Sequence, residues 1–184
     1  MSSEIHSRKL TLYPDRIGVL IGKEGSVKKK LEDLLRVSID VNSTTGEVLI
    51  RGEDPERVMK ASQIVEAINY GFSPERAFSL LSDDQIFHVI DLSAYVGKSI
   101  KDLKRVKGRI IGEKGKARRV IEETAKVQLS IYRHYVAIIG SFSDVLLADE
   151  AIRRLIKGSP HKAVYNFLFA ERRREKFRKM FLWE

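Results

Sequence analysis

Residues 106–122 read VKGRIIGEKGKARRVIE and form a second copy of residues 16–32, RIGVLIGKEGSVKKKLE. The two segments align at an offset of 90 residues. Five positions are identical in both copies: Gly18, Ile21, Gly22, Gly25 and Glu32 align with Gly108, Ile111, Gly112, Gly115 and Glu122. Apolar positions continue to match downstream, where residues 37–41 align with 127–131. The chain of 184 residues therefore contains one unit twice, too few copies for a solenoid.

Hydrophobic periodicity predicts the same order of elements in both copies. In the first copy it predicts strand 8–13, helices 14–21 and 25–35, strands 37–41 and 47–52, and helix 54–70, with Val27, Leu31 and Leu34 on the packed face of helix 25–35. In the second copy it predicts strand 85–92, helices 99–111 and 115–125, strands 126–132 and 135–140, and helix 143–157. The predicted fold class is α/β (α+β), with two β-α-α-β-β-α units that each contain a three-stranded sheet.

Ser-Pro pairs mark the start of a further helix after each unit, because Ser is a good N-cap and Pro fits the first helical position. The predicted domains are 1–72, a linker helix over 73–83, a second domain over 84–158 and a basic C-terminal helix over 159–184. The last helix interleaves cations with aromatic residues: Arg172, Arg173, Arg174, Lys176, Arg178 and Lys179 with Tyr165, Phe167, Phe169, Phe177, Phe181 and Trp183. Three interpretations are open for this helix: it contacts RNA, it packs through Val164, Phe167 and Leu168 with a solvated basic face, or it lies on a membrane surface, against which the absence of a second anchor argues.

Charge is distributed unevenly between the two halves. Residues 1–92 contain 12 basic and 15 acidic side chains, whereas residues 93–184 contain 22 and 10. The whole excess of +9 therefore comes from the second half. A surplus of this kind favours a polyanionic partner that binds the second copy.

Each copy places a Gly-x-x-Gly turn, residues 22–25 and 112–115, between two helices. Glycines permit positive φ and leave no side chain in the way, so a sugar-phosphate backbone can approach the positive end of the following helix. In the second copy the expected phosphate contacts are Arg109, Lys114, Lys116, Arg118 and Arg119. The expected base groove is lined or supported by Ile110, Ile111, Val127, Leu129 and Ile131, of which some must face the core.

The segments LIGKEGSVKKKL and IIGEKGKARRVI resemble the signature of type I KH domains. That resemblance implies a fold that binds about four nucleotides of single-stranded RNA or DNA and clamps their backbone with the Gly-x-x-Gly loop. Two such domains followed by a basic helix resemble, more narrowly, the small-subunit ribosome assembly factors of the partner-of-Nob-one and Krr-one group. The narrower resemblance implies a ligand in the 3′ region of small-subunit ribosomal RNA and a maturation endonuclease as partner.

The second copy is predicted to be the main RNA site. Its predicted contacts are Arg109, Ile110, Ile111, Gly112, Glu113, Lys114, Gly115, Lys116, Arg118, Arg119, Leu129 and Ile131. The first copy is predicted to make secondary RNA or protein contacts through Gly22, Lys23, Glu24, Gly25, Lys28 and Lys29. Two alternatives remain open, a continuous RNA path over both copies and a protein-interaction scaffold with weak RNA contact.

No catalytic, metal or cofactor site is predicted. The chain has no cysteine, its four histidines lack metal-ligand spacing, and residues 18–23 have too few residues between the glycines for a P-loop. No segment has the length and apolarity of a membrane helix or signal peptide, so the expected location is cytoplasmic. The abundance of Lys, Arg and Glu with only three Asn and three Gln is typical of heat-adapted proteins.

Overall fold

The computed structural model describes residues 5–181, which divide into two compact units at the bond between Asp83 and Asp84. The elements of the first unit are β1 (His6–Thr11), α1 (Pro14–Ile21), α2 (Ser26–Leu35), β2 (Ser38–Val41), β3 (Glu47–Gly52), α3 (Pro55–Asn69) and α4 (Pro74–Ala77). The strands form an antiparallel sheet in the order β1-β3-β2. Val48 and Ile50 alternate on the helix-covered face of β3 and are fully buried.

The second unit repeats this arrangement. Its elements are β4 (Ile86–Asp91), α5 (Ser93–Val96), α6 (Ile100–Ile111), α7 (Lys116–Ala125), β5 (Gln128–Tyr132), β6 (Tyr135–Gly140), α8 (Phe142–Ile156) and α9 (His161–Phe181). The strand order is β4-β6-β5, also antiparallel. The mixed fold class and the β-α-α-β-β-α order predicted from periodicity are confirmed.

Local capping explains where the long helices begin. Asp54 caps α3: its Oδ1 accepts hydrogen bonds from the amides of Glu56 at 2.9 Å and Arg57 at 3.3 Å. In the second unit, Ser141 Oγ accepts from the amide of Asp144 at 3.4 Å at the start of α8. Both helices carry the apolar face that closes the sheet of their unit.

One expectation about helix packing was wrong. Leu34 was placed on the packed face of α2 but is 52% exposed, whereas Leu35 is buried, because Leu35 follows Leu31 by a full turn of four residues. Over residues 73–83, where the sequence predicts a linker helix, the structure has α4 followed by a 3-10 helix at Phe78–Leu81. Its buried residues, Ala77 and Leu80, are three apart, which is the repeat of a 3-10 helix.

The short helix α5 has no counterpart in the first unit. β1 ends at Thr11 and α1 begins at Pro14, whereas β4 ends at Asp91 and α6 begins only at Ile100. The inserted residues explain why the first strand of the second copy lies further from its glycines. Four helical residues carry too little periodicity to be predicted from sequence.

Candidate nucleic-acid interface

The two Gly-x-x-Gly loops adopt the same backbone conformation. Gly22 and Gly112 have φ of 75° and 73° with ψ of 177° and 175°. Gly25 and Gly115 both have φ of 76° with ψ of 12° and 14°. Since the residues between the glycines differ while the dihedral angles agree within a few degrees, the glycines set the shape of the loop.

The first and second glycine of each loop serve different purposes. A Cβ on Gly112 would lie 2.7 Å from the backbone nitrogen of Ala117, and one on Gly22 would lie 2.9 Å from that of Val27. A Cβ on Gly115 would meet no heavy atom within 4 Å among the described residues beyond its chain neighbours. The loop is therefore packed against the following helix on one side and open to a second chain at Gly115.

A third residue of each loop has left-handed dihedral angles without being glycine. It is Glu24 in the first loop, with φ of 53°, and Lys114 in the second, with φ of 48°. Such a conformation costs a non-glycine residue about 1 kcal/mol and is concentrated at functional sites. Both side chains are exposed, so the same strained position presents a carboxylate in one unit and an ammonium in the other.

Helix α7 directs its positive end at the second loop. Its first turn contains no acidic residue that would offset the helix dipole. Lys114, Lys116 and Arg119 are all exposed around this end, and Arg119 Nη2 lies 3.4 Å from the carbonyl oxygen of Lys114, to which it donates. The structure thus brings together three of the five cations predicted from the sequence, with the exposed Glu113 beside them.

Arg118 lies away from this exposed group and is half-buried against the edge strand β5. Its Nη2 donates to the carbonyl oxygen of Leu129 at 2.7 Å, and its Nε lies 3.4 Å from Glu122 Oε2. Glu122 Oε1 in turn accepts from the amide of Leu129 at 2.8 Å. Arg118 therefore ties α7 to β5, and we leave it out of the proposed phosphate contacts.

The repeated glutamate has the same role in the first unit, a role that the sequence reasoning missed. Glu32 Oε1 accepts from the amide of Ile39 at 2.7 Å, and Lys28 Nζ lies 3.2 Å from the same carboxylate oxygen. Lys28 is thereby half-buried, whereas Lys23 and Lys29 are exposed around the first loop. The identity of Glu32 and Glu122 in the repeat was the signal that could have revealed this helix-to-strand link.

Arg109 was predicted to contact phosphate, but its guanidinium is used inside the unit. Nε donates to the carbonyl oxygen of Leu155 at 3.0 Å and Nη2 to that of Ser159 at 2.6 Å. The first carbonyl lies in the last turn of α8 and the second in the segment that follows the helix, and the carbonyl oxygen of Leu155 also accepts from the amide of Gly158 at 3.1 Å. The half-buried guanidinium of Arg109 thus has a structural role, and the prediction that it contacts phosphate was wrong.

The apolar residues assigned to the base groove divide into two groups. Ile110 and Leu129 have no exposed surface and Val127 is buried, so all three belong to the core and cannot contact a base. Ile111 is 38% exposed beside the loop, and Ile131 is half-buried on β5. Only the last two remain available to support bases.

The first half of α9 packs onto the second unit. Val164 and Leu168 are fully buried, and Arg172 Nε donates to the carbonyl oxygen of Thr124 at 2.5 Å. Hydrogen bonds from the ammonium of Lys179 and the guanidinium of Arg172 lower the pKa of Glu175 to about 2. The packed alternative for this helix therefore holds for residues 164–172.

The aromatic residues in the second half of α9 are not packed in this way. Phe177 and Phe181 are exposed, and Trp183 lies outside the described residues.

Two histidines of the second unit have partners within the fold. His88 Nε2 lies 3.1 Å from Asp149 Oδ1, and His161 Nε2 lies 2.7 Å from the carbonyl oxygen of Arg109. Across residues 5–181 there is no group of three or more His, Cys, Asp or Glu side chains that could hold a metal ion. In the same part of the chain, no helix combines the length and apolarity needed to cross a membrane.

Comparisons with known proteins agree with this architecture. Residues 86–173 match the model of the second KH domain of PNO1, described as a eukaryotic-type KH domain of type I. Residues 8–67 match the general KH domain model.

Full-length relatives extend the match over nearly the whole chain. A KH domain-containing protein of Methanocaldococcus jannaschii is 42% identical over 179 residues, 95% of this chain and 78% of the relative. The pre-rRNA-processing protein PNO1 of Candida glabrata is 29% identical over 95% of this chain and 70% of the relative. A chain in the crystal structure of the a/eIF2alpha–aDim2p–rRNA complex from Pyrococcus horikoshii OT3 is 42% identical, with a TM-score of 0.87 over 92% of this chain and 95% of that chain. The chain therefore belongs to the RNA-binding KH-domain family, as a tandem protein whose second domain is of the PNO1 type.

Proposed function

We propose that this chain is a non-catalytic, cytoplasmic protein whose second domain binds single-stranded RNA from the 3′ region of small-subunit ribosomal RNA during subunit assembly. The observation that carries the proposal is the loop at residues 112–115, which is open at Gly115 and lies at the positive end of α7. The relatives support the setting, since PNO1 is named for pre-rRNA processing and the Pyrococcus chain was crystallised with rRNA.

The proposed mechanism is electrostatic clamping of the RNA backbone. A phosphate at the open side of Gly115 would accept hydrogen bonds from amides at the start of α7 and would be attracted by Lys114, Lys116 and Arg119. Bases held beside the loop would lie against Ile111 and Ile131. Because each neutralised phosphate releases counterions, binding should weaken steeply as salt increases.

We assign the first domain to contact with protein or to weaker contact with RNA. Its loop has the same backbone, but Glu24 stands where the second loop has Lys114. The expected protein partner is an endonuclease of ribosomal RNA maturation. The Pyrococcus relative supports a protein partner in general, because its complex contains a/eIF2alpha as well as rRNA.

The test is the double substitution Glu113→Asp and Lys114→Asp, compared with Lys23→Asp and Glu24→Asp in the first loop. Position 114 has φ of 48°, and Asp tolerates left-handed dihedral angles better than most residues, so the fold should persist. We expect the second-loop variant to bind a 3′-terminal rRNA oligonucleotide at least about tenfold more weakly by fluorescence anisotropy. The first-loop variant should lose less.

Circular dichroism of both variants establishes that they remain folded. Equal affinity of the second-loop variant and the unmodified protein would mean that the second loop does not contribute to RNA binding. Unchanged binding by both variants would favour a protein-interaction scaffold. Cleavage of the oligonucleotide by the pure chain with magnesium or manganese would contradict the non-catalytic assignment.

A further inference from the structure

The helix that leads into the second loop has a solvent-facing stripe. Lys101, Lys104, Gly108 and Ile111 follow one another at spacings of three, four and three residues, so they share one face of α6. All four are exposed. The stripe ends next to Gly112, where the loop begins.

The two lysines of this stripe are uncompensated. Among the described residues, no carboxylate forms an ion pair with Lys101 or Lys104, whereas the neighbouring Arg105 Nε lies 3.5 Å from Asp102 Oδ1. Gly108 separates the lysines from the loop, and a Cβ there would meet no heavy atom within 4 Å outside the helix backbone and its chain neighbours, in the part of the chain that the structure describes. A second chain could therefore pass Gly108 on its way from the loop to the lysines without meeting a side chain at that position.

The first domain lacks this cationic extension. Gly18 and Ile21 repeat the end of the stripe, but the position equivalent to Lys104 is Pro14, at which α1 begins. The helix has eight residues against twelve in α6 and thus has no helical position equivalent to Lys101. The lysines are therefore specific to the domain that has the exposed Lys114 and Lys116.

The inserted segment before α6 is held in place rather than left loose. Ser99 Oγ accepts from the amide of Asp102 at 3.4 Å and caps the helix. Tyr95 of α5 lies beneath Arg153 of α8, with the guanidinium 5.5 Å from the ring centre. Val96 and Leu103 pack against the core of the unit. The stripe therefore lies on a helix that is anchored to the core of the unit.

We propose that this stripe extends the RNA site, so that a strand clamped at residues 112–115 continues along α6 with phosphates at Lys104 and Lys101. The proposal rests on the proposed function and assigns the second domain a longer RNA footprint than the loop alone provides. The α-helical rise of 1.5 Å per residue puts Lys101 about 16 Å from Gly112, which lies beyond the contacts of the loop. Uncompensated positive charge and continuity with the loop favour the same RNA strand as the occupant.

The test uses RNA length as the variable. The full chain with Lys101→Gln and Lys104→Gln is compared with the unmodified chain on a ten-nucleotide RNA from the 3′ end of small-subunit rRNA. The second probe is the four-nucleotide segment of that RNA that binds best. We expect the variant to lose about fivefold in affinity for the long RNA and nothing for the short one. The salt slope for the long RNA should become shallower by about 1.4, which corresponds to two fewer phosphate contacts.

A matched control removes two positive charges elsewhere. Lys9 and Arg51 form ion pairs with Glu47 and Asp40 in the first-domain sheet, and Lys9→Gln with Arg51→Gln should leave binding to both RNAs unchanged.

Four results would overturn the extension while leaving the loop site intact. They are equal affinity of the unmodified chain for both RNAs, no loss in the α6 variant, the same loss on both RNAs, and the same loss in the control. If the unmodified chain binds neither RNA, the proposed function fails and the extension fails with it.

Discussion

The two domains have almost the same loop backbone and differ in the charge around it. The dihedral angles of Gly22 and Gly112 agree within a few degrees. The non-glycine residue with left-handed dihedral angles, however, is Glu24 in the first domain and Lys114 in the second. The helix before the loop repeats this contrast, with Asp15 at the position of Arg105. The glycines therefore fix the shape of the loop, and we propose that the side chains around it determine which partner it attracts.

Both domains also make the same contact between an arginine and two carbonyl oxygens, but the arginine occupies different positions of the repeat. Arg16 donates to the carbonyl oxygens of Ile68 and Phe72, both at 2.7 Å, just as Arg109 does to the equivalent carbonyls at the end of α8. In the repeat alignment, however, Arg16 corresponds to Val106 and not to Arg109. The arginine has moved by three residues, about one helical turn, and still reaches the same acceptors. Both domains therefore tie the helix before the loop to the same two carbonyls, although the arginine occupies a different position of the repeat.

The substitution Gly112→Ala should disrupt the loop shape that both domains share. The new Cβ would lie 2.7 Å from the backbone nitrogen of Ala117, at dihedral angles that only glycine adopts readily. We expect the second domain to lose about 3 kcal/mol of stability and the RNA affinity to fall with it. Urea unfolding and hydrogen exchange of the β6 amides measure the loss.

The matched variants separate packing from backbone strain. In Gly115→Ala the new Cβ would lie in open space, so the variant should lose only about 1 kcal/mol of stability, which comes from the φ of 76° at this position. Gly22→Ala should destabilise the first domain as strongly as Gly112→Ala destabilises the second, while the second domain keeps its RNA affinity. Similar losses for Gly112→Ala and Gly115→Ala would contradict the packing explanation.

A smaller effect is expected when the arginine clamp is removed. Arg109→Ala deletes hydrogen bonds to two carbonyls and should lower the stability of the second domain by about 2 kcal/mol, and Arg16→Ala should do the same in the first. At temperatures where the Arg109→Ala variant is folded, its RNA affinity should equal that of the unmodified protein. A shallower salt slope in that variant would return Arg109 to the phosphate contacts.

The sequence predicted the order of elements well because Gly, Pro and Asp mark where helices begin and end. It did less well for side chains of the site. Periodicity shows that a helix is amphipathic but does not fix its rotation closely enough to separate Ile110, which is in the core, from the exposed Ile111. Likewise, the local sequence does not show that Arg109 donates to carbonyl groups and does not face solvent, because those acceptors lie 46 and 50 residues away in the chain.

Exchanging the two residues between Gly112 and Gly115 leaves the net charge unchanged and should have a small effect on RNA affinity. The substitutions Glu113→Lys and Lys114→Glu give the second loop the order found at Lys23 and Glu24 in the first. We expect RNA affinity to fall about threefold in anisotropy titrations, because the strained position then presents a carboxylate to the phosphate. The reverse exchange in the first loop should raise its weaker RNA affinity by a similar factor. Unchanged affinity in both exchanged proteins would mean that the cations outside the loop alone distinguish the two domains.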